Sequence, residues 1–266
     1  MKTLVRLTMS LTLAFSLLGQ TANPKPPKPP KGKMEAEMIN AVFQAPDPDT
    51  RIAAVETLLT KFHDTEYKAL ALYMAAVSCE QKNDFEKLVI YGERTLEADP
   101  KFFAVMLMMA RGYAQKTREH DFDKDEKLAK VDKWATEGIA LAKDAPKLNT
   151  NIADPDWEAA KKDFASQGHE ALAMSALVRK KYDVAATEFS NALSNMAKPD
   201  PATQARLGST YNLQSKWDDA LAILDKANAT PELNPAVKQY ISSERVKALM
   251  GKKKAETAAA PAAPKQ

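Results

Sequence analysis

Glycine is scarce, with 8 residues in 266, about 3% where roughly 7% is usual. Beyond the N-terminal segment no two glycines stand closer than Gly92 and Gly112, which excludes G-x-G-x-x-G, the Walker A loop and G-x-S-x-G, all of which need clustered glycines. The single cysteine, Cys79, rules out a disulfide framework, and its position rules out lipid attachment just after an export signal. His63, His120 and His169 are far apart and no H-E-x-x-H occurs, so no histidine-built metal or triad site is indicated. We assign no catalytic residue, no metal ligand and no cofactor.

Alanine is abundant instead, 45 residues or about 17%, and alanine is the best helix former because it surrenders no side-chain entropy. The fold class is therefore all-α. The net charge of +3 is unevenly spread. Residues 1–33 hold six basic side chains and no acid, and the tail 251–266 holds four lysines against Glu256. The interior is mildly acidic, which is not the charge pattern of a nucleic-acid binder.

Residues 1–22 read as a signal peptide. Lys2 and Arg6 form the positive region, Leu7–Leu18 the short apolar region, and Thr21-Ala22 supply small residues near a cleavage point. Twelve apolar or small residues are too few to span a bilayer. The expected location is periplasmic or secreted, and not as a lipoprotein. Residues 23–33 are a Pro/Lys-rich linker expected to extend as a polyproline II spacer, and its lysines, like those of the C-terminal end, could touch an anionic envelope surface. Residues 251–266 are Ala/Pro/Lys-rich and are expected to be disordered.

Between these ends the sequence repeats. Leu207, Gly208 and Tyr211 share one helical face, a Ser-Lys turn follows, and Trp217–Ala229 places Ala220, Leu224 and Ala227 at i, i+4 and i+7. Thirty-five residues earlier, Leu172, Ala173 and Ala176 precede Ala185, Phe189 and Ala192, with Tyr182 matching Trp217. Weaker copies carry Ala75, Ala76 and Cys79, then Met109, Ala110 and Tyr113, closed by Pro100 and Pro146. The clearest units are 166–197 and 201–230, and the weaker ones 69–100 and 103–146. Residues 35–62 form one more pair split at Pro46–Asp49, with Asp49 as the expected cap of the helix Thr50–Phe62. Residues 235–250 form a cap helix turning Val237, Tyr240, Ile241 and Ala248 inward, with Lys and Glu outside.

Helix pairs of about 34 residues with small residues at the crossing, an aromatic near the turn and a closing proline resemble the tetratricopeptide repeat. The resemblance covers roughly residues 66–230 and implies a right-handed superhelical solenoid of antiparallel helix pairs over 34–250, binding proteins in a concave groove lined by the first helices. The sequence departs from that pattern in two ways. Gly92 and Gly138 stand where Phe189 fills the interhelix site, and segments 117–132 and 147–165 are insertions.

On that resemblance the groove residues are Tyr73, Val77, Leu107, Arg111, Met174, Leu177, Ser209 and Asn212, a mostly apolar strip with one cation. Val77, Arg111, Met174 and Ser209 occupy the place of the asparagine with which some family members clamp a terminal carboxylate, so that ligand is not expected. The expected partner is an apolar or amphipathic peptide segment of a protein, and no nucleic acid. Self-association through an open end or the groove is a further option. The rival reading is a ligand-binding or enzymatic protein using segments 117–132 and 147–165. There Asp121, Asp123 and Asp125 resemble the start of a calcium loop, but Glu126 occupies its glycine position and Asp132 replaces its bidentate Glu. Capping and solvation account for these acids more simply. Cys79 reads as a buried structural thiol, the alternative being a reactive one. The run Phe102–Ala110 has no polar face and is either buried all round or lines an apolar groove. Met74, Met106, Met108, Met109 and Met174 recur on first helices, where core packing is the default.

Overall fold

The computed structural model describes residues 21–23, 25–147 and 152–259. Most of the predicted signal peptide, up to residue 20, and the tail from residue 260 lie outside the described residues.

Among the described residues there are eleven α-helices and no strand. In chain order they are α1 (Lys33–Gln44), α2 (Pro48–Lys61), α3 (Lys68–Gln81), α4 (Phe85–Ala98), α5 (Phe103–Lys116), α6 (Lys124–Lys143), α7 (Asp154–Val178), α8 (Tyr182–Asn195), α9 (Pro201–Leu213), α10 (Trp217–Asn228) and α11 (Pro235–Ala259). Consecutive helices pack as antiparallel pairs, and each pair packs on the next. No helix hides its apolar stripe within its own pair, so the stack buries one core running from Ile39 in α1 to Ala171 in α7. Smaller clusters continue it through α8, α9, α10 and α11. The result is an all-α solenoid.

Proline and aspartate set the helix starts. Asp47 accepts the Thr50 N–H at 2.8 Å, and Pro48 opens α2, where its missing N–H is no loss. This corrects the expected cap: Asp49 lies inside the first turn. Asp200 plays the same part for α9, accepting the Thr203 N–H at 2.8 Å, and Pro201 follows it.

The tight turns share one geometry. Asn83, Lys180 and Ser215 have φ of 55°, 58° and 59°. The next N–H in each case returns to a carbonyl five residues back, Asp84 to Cys79, Lys181 to Ala176 and Lys216 to Tyr211, all at 2.9 Å. These are left-handed helix closures that usually fall to glycine, which this chain scarcely has.

The two glycines that break the repeat pattern have a packing role. A Cβ on Gly92 would stand 2.5 Å from the Met109 sulfur, and one on Gly138 would stand 2.7 Å from a Leu107 methyl. The room that an aromatic fills from the second helix in the unit 166–197 is here filled from the first helix, α5. Gly168 on α7 likewise receives Ile139 and Leu107. That lets the long α7, which absorbs residues 154–165 of the second insertion, lie on α5, with the Phe103 and Phe164 rings edge to face at 4.9 Å. Of the two readings of Phe102–Ala110, burial all round is the one observed.

Three expectations about the ends change. Residues 251–259 continue α11 rather than starting a loose tail, because Gly251 lets the helix rest on the Trp217 ring and Lys252 pairs with Asp218 at 2.6 Å. The outer face of α11 is not uniformly polar: Tyr240 keeps 38% of its surface exposed, and Val246, Leu249 and Met250 are exposed. The Pro/Lys segment and the two residues before it meet the helices. Thr21 donates to Asp99 at 2.6 Å, the Ala22 N–H donates to the Lys101 carbonyl at 3.0 Å, and Lys28 and Lys31 pair with Glu66 and Asp64.

Candidate functional site

Because the first helices of successive units run side by side, their shared face is the place where sequence reasoning puts a groove. Polar bridges cross it. Arg111 on α5 bonds Glu80 on α3 at 2.5 Å and Gln167 on α7 at 3.1 Å. Arg206 on α9 pairs with Glu170 on α7. Arg111 is thus not a cation held ready for a ligand, because its charge joins three helices.

The structure divides the eight predicted residues. Tyr73 is buried against Phe102, with ring centroids 4.9 Å apart, and burial pushes its hydroxyl pKa far up. Leu107 is sealed between Gly138 and Gly168. Neither presents a surface to a partner: Phe102 closes on Tyr73, and α7 lies over Leu107, neither of which helix periodicity registers. Asn212 is buried beneath α11, donating to the Glu244 carbonyl at 2.9 Å and to its carboxylate at 3.0 Å. Ser209 bonds the same carboxylate. Burial works against the charge of Glu244, but Lys247, Asn212 and Ser209 together outweigh it and hold the carboxyl below its usual 4.5. The cap helix therefore occupies the strip at its C-terminal end. Val77, Met174 and Leu177 stay partly exposed.

Met174 and Leu177 do come together, in an open cleft of about 460 Å³ between the end of α5 and the end of α7. Ala114 and Val178 add apolar wall, and Gln115, Arg118 and Glu119 form a polar rim. Arg118 is held by its own loop: its guanidinium donates to the Gln115 carbonyl at 2.6 Å, and its N–H is accepted by Asp121 at 2.9 Å. Glu119 is bound by Lys180 at 2.6 Å, which lowers its carboxyl pKa. Arg118 and Glu119 belong to segment 117–132 of the rival reading, while Ala114, Gln115 and Val178 were not singled out from the sequence. Ala114 could have been found, since it lies three residues beyond Arg111 on the same helix; where the inserted loop returns had no signature. A second cleft, about 420 Å³, lies where the N-terminal strap crosses the α2–α3 turn, between Asn23 and Lys25 on one side and Asp64, Glu66 and Phe102 on the other.

The chemical candidates are occupied structurally. Cys79 is buried and its thiol pKa is pushed up by burial and by Asp84, the reverse of what a nucleophile needs. Asp121 and Asp123 share Lys127, at 3.5 and 2.9 Å. His169 bonds Glu188 at 2.7 Å. Among the described residues no group of three or more His, Cys, Asp or Glu could hold a metal ion, and no helix is long and apolar enough to cross a membrane.

No family model and no curated protein matches the chain. Among solved structures it is similar to a thermophilic TPR protein from Thermus thermophilus, with 15% identity, TM-score 0.47, and coverage of 75% of this chain and 91% of that one. It is also similar to a tetratricopeptide repeat protein from Parabacteroides merdae, with 14% identity, TM-score 0.42, and coverage of 86% and 95%. Both likenesses concern the fold alone.

Proposed function

We propose that this protein is an exported, non-catalytic scaffold that binds a segment of a partner protein on the face of its first helices. The observation that carries the reading is the cleft at the end of α7, where Met174 and Leu177 stay partly exposed beside Ala114 and Val178 under a polar rim. An apolar floor with polar edges suits an apolar or amphipathic peptide, whose side chains would enter while its backbone meets Gln115 and Arg118. Methionine suits such a surface because it repacks around differing shapes. Fold resemblance supplies only the mode of action, and the site supplies the claim.

The test compares the full chain with a Met174→Glu, Leu177→Glu double variant, and with Val184→Glu, an exposed apolar residue on α8 outside the cleft, as control. After circular dichroism shows all three helical, crosslinking capture from an envelope extract is expected to recover partners that the double variant alone loses. Recovery of the same set by all three, or of nothing, overturns the reading. For export, the sequence-based reading expects processing near residue 22. N-terminal sequencing of the exported protein checks this: an intact Met1 contradicts it.

A further inference from the structure

The last helix ends the solenoid with an uncovered face of a particular chemistry. Ile241, Glu244 and Ala248 face inward on α11, buried against the preceding pair. The opposite face carries Val246, Leu249 and Met250, spaced i, i+3 and i+4, with 54%, 52% and 69% of their surfaces exposed. Lys253 and Lys254 continue that face one turn further and are exposed. Of the acids nearby, Glu244 is buried on Asn212, while Glu256 is exposed one turn beyond and acts only weakly on Lys252, whose partner is Asp218. At this level the helix meets α10 through Arg245 on Asp225, Lys252 on Asp218 and the seat of Gly251 on Trp217. Its outer face thus sets three exposed apolar side chains beside two exposed lysines, with Glu256 as the one exposed acid in the adjoining turn.

We propose that this face of α11 docks peripherally on an anionic lipid surface, with Val246, Leu249 and Met250 entering the interface and Lys253 and Lys254 reaching the phosphates. Lysine stems are long enough to lie along apolar contacts while their ammonium groups stay in the headgroup layer. A second copy is the poorer occupant, because three half-exposed side chains fall far short of the roughly 800 Å² per partner that a stable interface buries. Two clustered positive charges also select against an identical face. This inference is independent of the peptide cleft, which lies at the ends of α5 and α7.

The experiment is flotation of the full mature chain with vesicles of phosphatidylcholine alone or of equal parts phosphatidylcholine and phosphatidylglycerol, at low and high salt. The expected result is partition onto the anionic vesicles that weakens with salt. It should fall about fivefold for each lysine removed in Lys253→Gln, Lys254→Gln. Leu249→Gln, Met250→Gln should also reduce it. Because all four side chains face solvent and glutamine is a good helix former, unchanged ellipticity and melting temperature separate lost docking from lost folding. Three results would overturn the proposal. One is no enrichment on anionic vesicles. Another is partition that neither double variant alters, which would assign it to the N-terminal lysines. The third is a concentration-dependent dimer in sedimentation that Leu249→Gln, Met250→Gln abolishes while vesicles have no effect.

Discussion

Ser215 holds a left-handed backbone, φ 59°, at the turn between α9 and α10, and lies 35 residues after Lys180, which does the same between α7 and α8. A non-glycine residue in that conformation carries a steric penalty of about 1 kcal/mol or more, because its Cβ crowds the next carbonyl. Ser215 is exposed, so replacing it removes no buried contact. Ser215→Gly is expected to raise stability by about 0.5–1 kcal/mol, read as a higher urea midpoint at unchanged slope. A drop would show that the serine side chain contributes something the turn geometry does not. Gly168 is the opposite case. An added Cβ would lie 2.5 Å from Ile139 and 3.0 Å from Leu107, both in the core. Alanine gains about 1 kcal/mol of helix propensity, but overpacking typically costs about 1–3 kcal/mol, so Gly168→Ala is expected to lower stability by about 1 kcal/mol. At Gly32 a Cβ meets nothing within 4 Å, and Gly32→Ala is expected to change the urea midpoint little.

At the scale of helices, the contact of α11 with α9 turns on one buried carboxylate. Glu244 is 2% exposed, and its pKa is lowered in the folded chain. A depressed carboxyl pKa stabilises the folded state above the unfolded value, near 4.5, and that contribution fades as pH falls through the folded value. Glu244→Gln, which keeps the shape, is therefore expected to lose about 1–2 kcal/mol at pH 7 and progressively less below pH 4.5. Urea unfolding of both proteins across pH 3–8 checks it, and a gap that stays constant with pH would contradict the assignment. The helix pairs themselves were legible because their apolar spacing, caps and closing prolines are local. What the sequence concealed was non-local. Nothing near Gly92 or Gly138 announces that Met109 and Leu107 will fill the missing aromatic's place from another helix. Periodicity put Leu107 and Asn212 on an open face because it cannot register that α7 covers α5 or that α11 covers α9, and Tyr73 because it cannot register that Phe102 closes on its ring. Met174 and Leu177 were legible because they lie at the end of α7, beyond the reach of that cover.

Over the whole molecule the core is uneven, and stability should follow it. From α1 to α7 it is continuous and built from large side chains such as Phe103, Leu72, Met109 and Trp134. From α9 to α11 it is a smaller cluster in which Leu224 and Ile241 are accompanied by Ala205, Ala220, Ala227 and Ala248. Each buried CH₂ group contributes about 0.8 kcal/mol, so a pair sealed mainly by alanine methyls gains less from docking than one sealed by leucine and phenylalanine. In a solenoid each unit leans only on its neighbours, and a weak terminal unit can open without the rest. Native-state hydrogen exchange at low denaturant is expected to show α10 and α11 opening together at a lower free energy than α5, whose residues are enclosed by α4, α6 and α7. Glu244→Gln should lower the α10–α11 opening energy and leave that of α5 unchanged. A single opening energy shared by α5 and α11 in both proteins would mean that the chain behaves as one cooperative unit, and that the alanine-rich end is held by more than its own core.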